Sequence, residues 1–512
     1  MTGATMTANG TTILRNAHVI DPAQGLDGPA DVAIAGGKVT AVGRELPDDG
    51  AELVDLAGHY VTPGWIDLHV HAYGSLGFSD PDSIGIYQGV TSVVDAGGPG
   101  VRTMDEFVAF TGQGLTTDVY AGPHIFPLGI IGLEYVETED DVRGIEETGL
   151  APWREWLAAH PGVVRFLKVG AYSPHGSKPI DIAKATAREL GLPLYVHIGE
   201  NHAWPHFDDP FEHAIRTAEA GDIVTHMYHG CVQGRIVDKA GKLLPVVADA
   251  AERGVLFDIG MGSYGFAWDV AERALAQGLR PKFISSDLQQ FNVLNPAFSL
   301  ANVMSICLKL GLPLAEVIED VTKNPAEALS LSDRAGSLRP GLPADITVFK
   351  LESGRFDLVD CVTRKRQTDT RVVPVMAFKA GRRVDCDLAR AQDERNWFMQ
   401  VAEDHVPASV DSLSPAQLAF LAALAPGLAA VGWSASEPQK LDLRRAWKLQ
   451  DVFNQVRGAH DLALRDAMNA VYACFQDSLF PMQIGLFLLR LDCAFAIDRL
   501  RQVTAGSAAA AA

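Results

Sequence analysis

Residues 62–74 read TPGWIDLHVHAYG and join a short apolar run to two histidines at its end. An apolar run that follows a Pro-Gly pair is typical of a buried β-strand. Alternate residues of a strand point to the same face, so the pattern predicts that His69 and His71 project together from the carboxyl end of this strand. In parallel α/β folds, functional sites lie at that end. Two buried polar histidines without a ligand are the alternative.

Seven further apolar runs follow, each separated from the next by a helix-like stretch. After GWIDLHVHA they are TSVVDAGG, DVYAGPHIF, VVRFLKVGA, LPLYVHIG, DIVTHMYHG, VLFDIGMG and KFISSDL. Apolar strands that alternate with helices indicate a parallel sheet buried on both faces. The eight units within residues 63–335 predict a closed TIM (β/α)8 barrel. A doubly wound open sheet is the alternative, but the G-x-G-x-x-G fingerprint that it usually carries is absent after the first strand.

The two segments that flank this barrel resemble each other in pattern. Residues 10–62 and 336–386 show β-branched alternation punctuated by Gly, Asp and Pro, which is typical of short strands joined by turns. The simplest interpretation is one small β-sandwich domain built from both flanks, with the metal-binding barrel inserted between them.

A helical pattern replaces the strands after the second flank. Residues 387–505 place apolar side chains at i, i+3 and i+4 spacing, which predicts a C-terminal α-helical appendage. It contains His405 and His460 but no ligand-like cluster, so we expect it to cover the barrel or to form the interface of a homo-oligomer. The alanine-rich residues 506–512 are expected to be a disordered tail.

Composition and charge limit the classes of partner. The 512 residues are 47% hydrophobic and 21% charged, and the net charge of -20 argues against nucleic acid and against an anionic membrane. The six cysteines are scattered without a C-x-x-C pair, which fits a reducing compartment. The N-terminus, MTGATMTANGTT, lacks the segments of a signal peptide, and no apolar run has transmembrane length. We therefore expect a cytoplasmic protein that acts on a small-molecule substrate.

Lys168 stands inside the fourth apolar run, VVRFLKVGA. A lysine in a buried strand is costly unless its amine is paired or chemically modified. One interpretation pairs it with a buried carboxylate. The other is that the amine has reacted with CO2 to form a carbamate, whose anionic oxygens could bridge two metal ions.

Polar side chains also stand at the ends of later runs. His197 ends the fifth run, His226 the sixth and Asp287 the eighth. An aspartate at this edge can bind a metal and accept a proton from water, whereas capping the next helix is its alternative role. Imidazole and carboxylate ligands suit Zn2+, and also Mn2+, Co2+ or Fe2+. His229 lies three residues after His226 and is predicted to be a loop residue that contacts the substrate.

These motifs together resemble the amidohydrolase superfamily over about residues 10–386. TPGWIDLHVHAYG is similar to its PG-h-D-x-H-x-H signature, GVTSVVDAGG to its second strand, and NPAEALSLSDRAGSLRPGLPADITVF to its closing segment. LKVGA, VHIGEN, VTHMYHG and ISSDLQ are most similar to the dihydroorotase-like branch that includes deacetylase-like metallohydrolases. The helical appendage has no recognised counterpart in that family.

The resemblance implies a site with two divalent metal ions, expected to be zinc, and a carboxylated Lys168. It implies that one metal is held by His69, His71 and Asp287, that the other is held by His197 and His226, and that the Lys168 carbamate bridges the two. It further implies hydrolysis of an amide or ester bond of the N-acetyl or O-acetyl type by metal-activated hydroxide, with Asp287 as the general base.

Substrate contacts are expected from the loops that follow the strands. The candidates, beside His229, are Tyr172, His175, Glu200, Asn201, His202 and Tyr264. Three other functions remain open at this point: a cyclic amidohydrolase of the dihydroorotase or hydantoinase type, a metal-dependent lyase or decarboxylase on the same barrel, and a non-catalytic scaffold. The complete ligand set disfavours the scaffold.

Overall fold

The structure of the chain is a computed structural model. It describes residues 10–74, 76–130, 144–200, 206–290, 292–393, 401–433, 443–476 and 484–510. No helix in these ranges combines the length and the apolar character needed to cross a lipid bilayer.

The two flanks meet in a single eight-stranded sheet. Its strands are β1 (Thr11–Asp21), β2 (Leu26–Ala35), β3 (Lys38–Gly43), β4 (Glu52–Asp55), β5 (Tyr60–Pro63), β13 (Ile346–Val359), β14 (Lys365–Lys379) and β15 (Arg382–Asp385). The order is β15-β14-β13-β5-β1-β2-β3, and β4 pairs with β1. Strand β5 joins the flanks because it runs parallel to β1 and antiparallel to β13. Alternate apolar residues such as Val19, Val61 and Val348 form one buried cluster on this sheet.

Parallel strands occupy the middle of the chain. They are β6 (Trp65–Val70), β7 (Val90–Asp95), β8 (Asp118–Ala121), β9 (Leu167–Gly170), β10 (Leu194–His197), β11 (Ile223–Thr225) and β12 (Leu256–Asp258). One sheet has the order β6-β7-β8 and the other the order β12-β11-β10-β9. Single parallel bridges, Ala121 with Val164 and His124 with Lys168, connect the two sheets between β8 and β9.

The eighth predicted strand is present as isolated bridges rather than as a regular strand. Phe283 pairs with Asp258 of β12, and Leu288 pairs with Val70 of β6. The backbone N–H of Ser286 donates instead to the buried Asp67 carboxylate at 3.1 Å, which replaces a ladder hydrogen bond. The segment still lies between the last and the first strand, as the sequence predicts.

Helices follow most of these strands and cover them. They are α1 (Met104–Thr111), α2 (Ala151–Ala159), α3 (Lys178–Leu190), α4 (Phe211–Thr217), α5 (Pro245–Glu252), α6 (Trp268–Ala276), α7 (Leu300–Lys309), α8 (Leu314–Glu319) and α9 (Lys323–Ala328). The buried faces of α2 to α8 share one large apolar core with the strands, whereas α1 and α9 pack in two smaller apolar clusters. This order of elements places the ends of the parallel strands, and the loops after them, at one edge.

In the described part of the C-terminal region there are five α-helices. They are α10 (Pro415–Val431), α11 (Leu443–Ala459), α12 (Leu464–Ala473), α13 (Ile484–Arg490) and α14 (Cys493–Ala510). Their buried side chains form a separate apolar cluster, here called the helical cluster; its members include Phe420, Leu424, Leu449, Phe453, Val471, Leu488 and Leu500. Helix α14 reaches Ala510, so the expected disordered tail is helical up to that residue, consistent with the high helix propensity of alanine.

Candidate metal centre

The two histidines of the H-x-H motif converge on one carboxylate. Nε2 of His71 lies 3.1 Å from Oδ1 of Asp287, and Nε2 of His69 lies 3.3 Å from the same atom. All three side chains are buried. Among the described residues, these three alone offer His, Cys, Asp or Glu ligand atoms that all lie within 4.8 Å of one another.

Lys168 reaches this group from β9. Its Nζ lies 2.8 Å from Nε2 of His69, and the side chain is 4% exposed. Burial lowers the pKa of Lys168 to about 8, although the carboxylates of Asp287 and Asp95 act in the opposite direction. The buried amine is therefore partly neutral near neutral pH.

His69 is held by a network of hydroxyls and one carboxylate. The hydroxyls of Tyr195 and Thr225 both donate to Oδ2 of Asp258 at 2.6 Å. Their oxygens lie 3.0 Å and 3.2 Å from Nδ1 of His69 and can accept its proton, because their own hydrogens are already donated. Nδ1 thus carries the hydrogen, and the lone pair of Nε2 points to the group with Lys168 and Asp287.

His226 and His197 complete the group from β11 and β10. Their ring centroids lie 4.4 Å apart, and the rings of His226 and His69 lie 5.2 Å apart. Nδ1 of His226 donates to the carbonyl of Gly260 at 2.6 Å, and Nε2 of His197 donates to the carbonyl of Gly199 at 3.3 Å. Each ring therefore keeps one unprotonated nitrogen for a ligand.

The unprotonated nitrogens of His226 and His197 indicate whether the site fits divalent metals. Nε2 of His226 is buried and has no hydrogen-bond partner among the described residues. An unpaired polar atom in the interior costs about 1–3 kcal/mol. The imidazole and carboxylate donors, with their outer nitrogens fixed by the protein, are the ligand types that zinc and similar ions bind. The residues present therefore fit a metal centre.

Backbone shape contributes to this convergence. His226 and Asp287 both adopt left-handed conformations, with φ of 68° and 48°, immediately after their strand segments. Gly262 allows the close approach of Asp287, since a Cβ on Gly262 would lie 2.1 Å from its Oδ2. The turns at the strand ends thus bring the side chains inward.

Burial and neighbouring groups shift the protonation of the site. Burial and the nearby Lys168 hold the pKa of His69 well below its ordinary value. Burial also lowers the pKa of His197 and His226, which favours neutral rings. Burial alone would raise the pKa of Asp287, but the adjacent His69 and His71 keep that pKa well below its usual range.

The predicted substrate contacts have different surroundings. The ring of Tyr172 lies 4.9 Å from that of His197, and its partly buried neighbour His175 has two buried nitrogens without a partner among the described residues. Glu200 accepts hydrogen bonds from the backbone and side chain of Ser173, which ties the loops after β9 and β10 together. Tyr264 lies in the loop after β12. These contacts with substrate stay predictions.

Two further candidates, Asn201 and His202, lie outside the described residues. His229 follows β11 as a loop residue, as predicted. Its Nε2 donates to the carbonyl of Gly234 at 2.7 Å, and its Nδ1 accepts from the backbone of Cys231 at 3.1 Å. Because both nitrogens are used by the backbone, a substrate contact through His229 would require one of these bonds to break.

His124, which stands after the third strand, is not among the site residues predicted from the sequence. Its Nδ1 accepts from the backbone of Phe126 at 3.1 Å, so the neutral ring carries its hydrogen on Nε2, which has no partner in the described part of the chain. A Cβ on Gly97 would lie 3.3 Å from Lys168 and 3.6 Å from His124, which places both side chains against one glycine. The sequence signal for His124 is its position in GPHIF, at a strand end like the other histidines of the site.

The chain is similar to known proteins over most of its length. Residues 60–384 match the model of the amidohydrolase family. The chain is 31% identical over 366 residues to a deacetylase of Enterococcus faecalis (strain V583), and the match covers 70% of this chain and 95% of that protein.

Solved structures are similar over the same part of the chain. The crystal structure of an adenine deaminase has a TM-score of 0.65 and 30% identity, and it covers 73% of this chain and 99% of its own. That of a dihydroorotase has a TM-score of 0.65 and 28% identity, with coverages of 74% and 98%. Such neighbours have a TIM barrel with an additional domain. The C-terminal helices lie beyond the family match.

Proposed function

The chain belongs to the amidohydrolase family, and from that membership we propose that it removes an acetyl group from a small molecule by hydrolysing an amide or ester bond. Metal-dependent hydrolysis is the activity of the family. The acetyl specificity rests on the similarity to the Enterococcus faecalis deacetylase, which spans nearly the whole of that protein.

The observation that carries the proposal is the convergence of six side chains at the strand ends. They are His69, His71, Lys168, His197, His226 and Asp287. In the proposed site, His69, His71 and Asp287 would hold one metal and His197 and His226 the other, in a closed barrel with zinc as the native ion. When bound, such ions polarise the scissile carbonyl and lower the pKa of water toward neutrality.

Lys168 is proposed to be carboxylated. Its ammonium form lies 2.8 Å from Nε2 of His69, and a cation cannot share that lone pair with a divalent metal. Attack of the neutral amine on CO2 forms an N–C bond, releases one proton and gives a carbamate. The product is an anion, so it supplies oxygen ligands where the ammonium would repel a metal.

Asp287 is proposed to accept and return the proton during hydrolysis. Asp287 is ionised, because neighbouring histidines hold its pKa low, and its Oδ1 is placed to accept a proton from the attacking water. The same carboxyl would return this proton to the leaving amine or alcohol. His69 keeps a fixed orientation throughout, since Tyr195 and Thr225 hold its Nδ1 hydrogen.

A substrate screen with metal analysis tests the function. The purified chain should contain metal and release acetate from N-acetyl amino acids or from acetylated hydroxy acids. Absence of metal after purification without a chelator, together with no acetate release after zinc is added, would contradict the proposal.

The Lys168→Ala variant tests the carbamate separately. It should contain less metal and have lower activity than the unchanged chain, and a short carboxylic acid should restore part of both, because the acid replaces the carbamate oxygens. Full activity and full metal content in the variant would remove the carbamate from the proposal.

Cyclic amide hydrolysis is the second candidate. The similarity to the crystal structure of a dihydroorotase, at 28% identity over 98% of that chain, favours it. Both reactions could use the same metal centre and would differ in the loops that contact substrate. Ring opening of dihydroorotate or a hydantoin without acetate release from any acetylated compound would select this candidate.

A further inference from the structure

The helical cluster contains two side chains that come from loops of the barrel. Leu76 is a buried member of the cluster, and Ile130 packs against it as a partly buried side chain. Leu76 lies in the first loop, whose described part is residues 71–74 and 76–89, between β6 and β7. Ile130 lies in the third loop, whose described part is residues 122–130 after β8. The C-terminal helices are therefore docked on the edge of the barrel that holds the site.

Leu76 connects the helical cluster to two ligand-bearing loops. It is 8% exposed and lies five residues after His71, and its carbonyl accepts a hydrogen bond at 3.0 Å from the backbone N–H of Gln290. Gln290 in turn lies three residues after Asp287. A shift of Leu76 would thus move the backbone that follows His71 and also the backbone that follows Asp287.

Ile130 makes a comparable connection on the Lys168 side. Its backbone N–H donates at 2.7 Å to the carbonyl of Gly97. Gly97 has a φ of 109°, and its missing Cβ leaves room for the side chains of Lys168 and His124. The second contact of the helical cluster is therefore one hydrogen bond from the glycine that packs against Lys168.

The segment that leads into the helices holds the far end of the first loop. Two guanidinium nitrogens of Arg390 bond Oδ2 of Asp80 at 2.8 Å and 3.0 Å, and the guanidinium lies over the ring of Tyr87 at 4.1 Å. The backbone N–H of Asp387 donates to the carbonyl of Tyr87 at 2.8 Å. The first loop is thus fixed at two places by residues that follow the second flank.

We infer that the C-terminal helical region fixes the first and third loops of the active site, and that Leu76 and Ile130 are positioning residues for the hydrolysis. Neither side chain is a ligand candidate. They act by holding the backbone next to His71, Asp287 and Lys168, so their loss should disturb geometry more than metal content. The kinetic part of this inference rests on the proposed function.

Leu76→Ala in the full chain is the test. The variant should lose about 10- to 100-fold in kcat/KM, because displacements of about 1 Å near reacting groups have costs of this size. Hydrogen exchange of the segment 286–290 should become faster, since the Gln290 amide would lose its fixed acceptor. Leu76→Met, which keeps the apolar volume, should restore kcat/KM and slow exchange.

Leu424→Ala is the matched control. Leu424 is a fully buried member of the helical cluster on α10, a helix that packs against α11, α12 and α14, so its truncation makes a cavity of similar size among these helices. It should lower the melting temperature but change kcat/KM by less than about twofold, because α10 packs against the other C-terminal helices.

The inference is overturned if Leu76→Ala lowers the melting temperature as Leu424→Ala does while kcat/KM and exchange of 286–290 stay unchanged. If Leu76→Ala does not fold, Ile130→Ala takes its place with the exchange of residues 95–98 as the readout, since Ile130 is only partly buried. If the unchanged chain hydrolyses none of the acetylated or cyclic compounds, the proposed function fails, whereas the exchange measurements still decide the positioning role.

Discussion

The barrel edge and the C-terminal helices bury side chains of opposite kinds. At the barrel edge, the buried residues are His69, Lys168, Asp258 and their neighbours, and hydrogen bonds to Lys168 and to Tyr195 orient the two nitrogens of His69. The helical cluster buries mainly Leu, Phe, Val and Ala. The barrel edge should therefore lose activity when one polar atom is removed. The helical cluster should instead lose stability when packing volume is removed.

Asp287→Asn should have the largest effect, and this effect should be confined to the barrel edge. The amide cannot accept the proton, so kcat should fall by about 100- to 10,000-fold, while the melting temperature stays close to that of the unchanged chain. Steady-state kinetics and thermal unfolding measure the two effects.

Asp320→Asn is the control for this change. Burial raises the pKa of Asp320 to about 8, so the amide replaces a carboxyl that is mostly neutral at pH 7, and it keeps the hydrogen-bonding shape toward Asn324. Its kcat should be nearly unchanged. Equal losses in Asp287→Asn and Asp320→Asn would show that buried carboxyls in general, rather than this site, support activity.

Tyr195→Phe should have a smaller effect that is still confined to the barrel edge. The variant removes the hydroxyl that accepts the Nδ1 hydrogen of His69, and losses of such outer contacts reduce metal affinity or activity by about 10- to 100-fold. Metal titration and kcat measure it. Tyr228→Phe is the matched control, because its buried hydroxyl bonds the carbonyl of Leu279 and not a site residue. A Tyr195→Phe variant no different from Tyr228→Phe would contradict the orienting role.

Ser414→Ala should have the smallest effect and fall wholly on the helical side. Ser414 and Gln417 form a capping box at the start of α10, with reciprocal side-chain to backbone bonds. Its loss should lower the free energy of unfolding by about 1 kcal/mol without a change in kcat. Denaturant unfolding measures the loss. A fall in kcat larger than that of Leu424→Ala would contradict the assignment of this cap to stability alone.

The sequence predicted much of the barrel edge. Strand alternation and apolar runs are local patterns, and they indicate strand-end positions for His69, His71, Lys168, His197, His226 and Asp287, whereas the resemblance to the amidohydrolase superfamily implies their roles as ligands. The regular eighth strand was the exception, since Ser286 bonds the Asp67 carboxylate from a distant part of the chain. His124 was readable from its strand-end position but was passed over.

Other features had no local signal. The pairing of Tyr195 and Thr225 with Asp258 depends on three neighbouring strands whose register the sequence does not state. The docking of the C-terminal helices on Leu76 and Ile130 joins segments far apart in the chain. Such contacts depend on how separate apolar surfaces meet, and many arrangements satisfy the same helical pattern.

By itself, the sequence determined the succession of strands and helices, because the spacing of apolar residues is a local pattern, and it indicated candidate site residues by their positions at the strand ends. Only the tertiary structure decided which nitrogen of each histidine is free, which hydroxyls orient it, and where the last five helices dock. Those outcomes depend on distances between atoms that the chain brings together only when it folds.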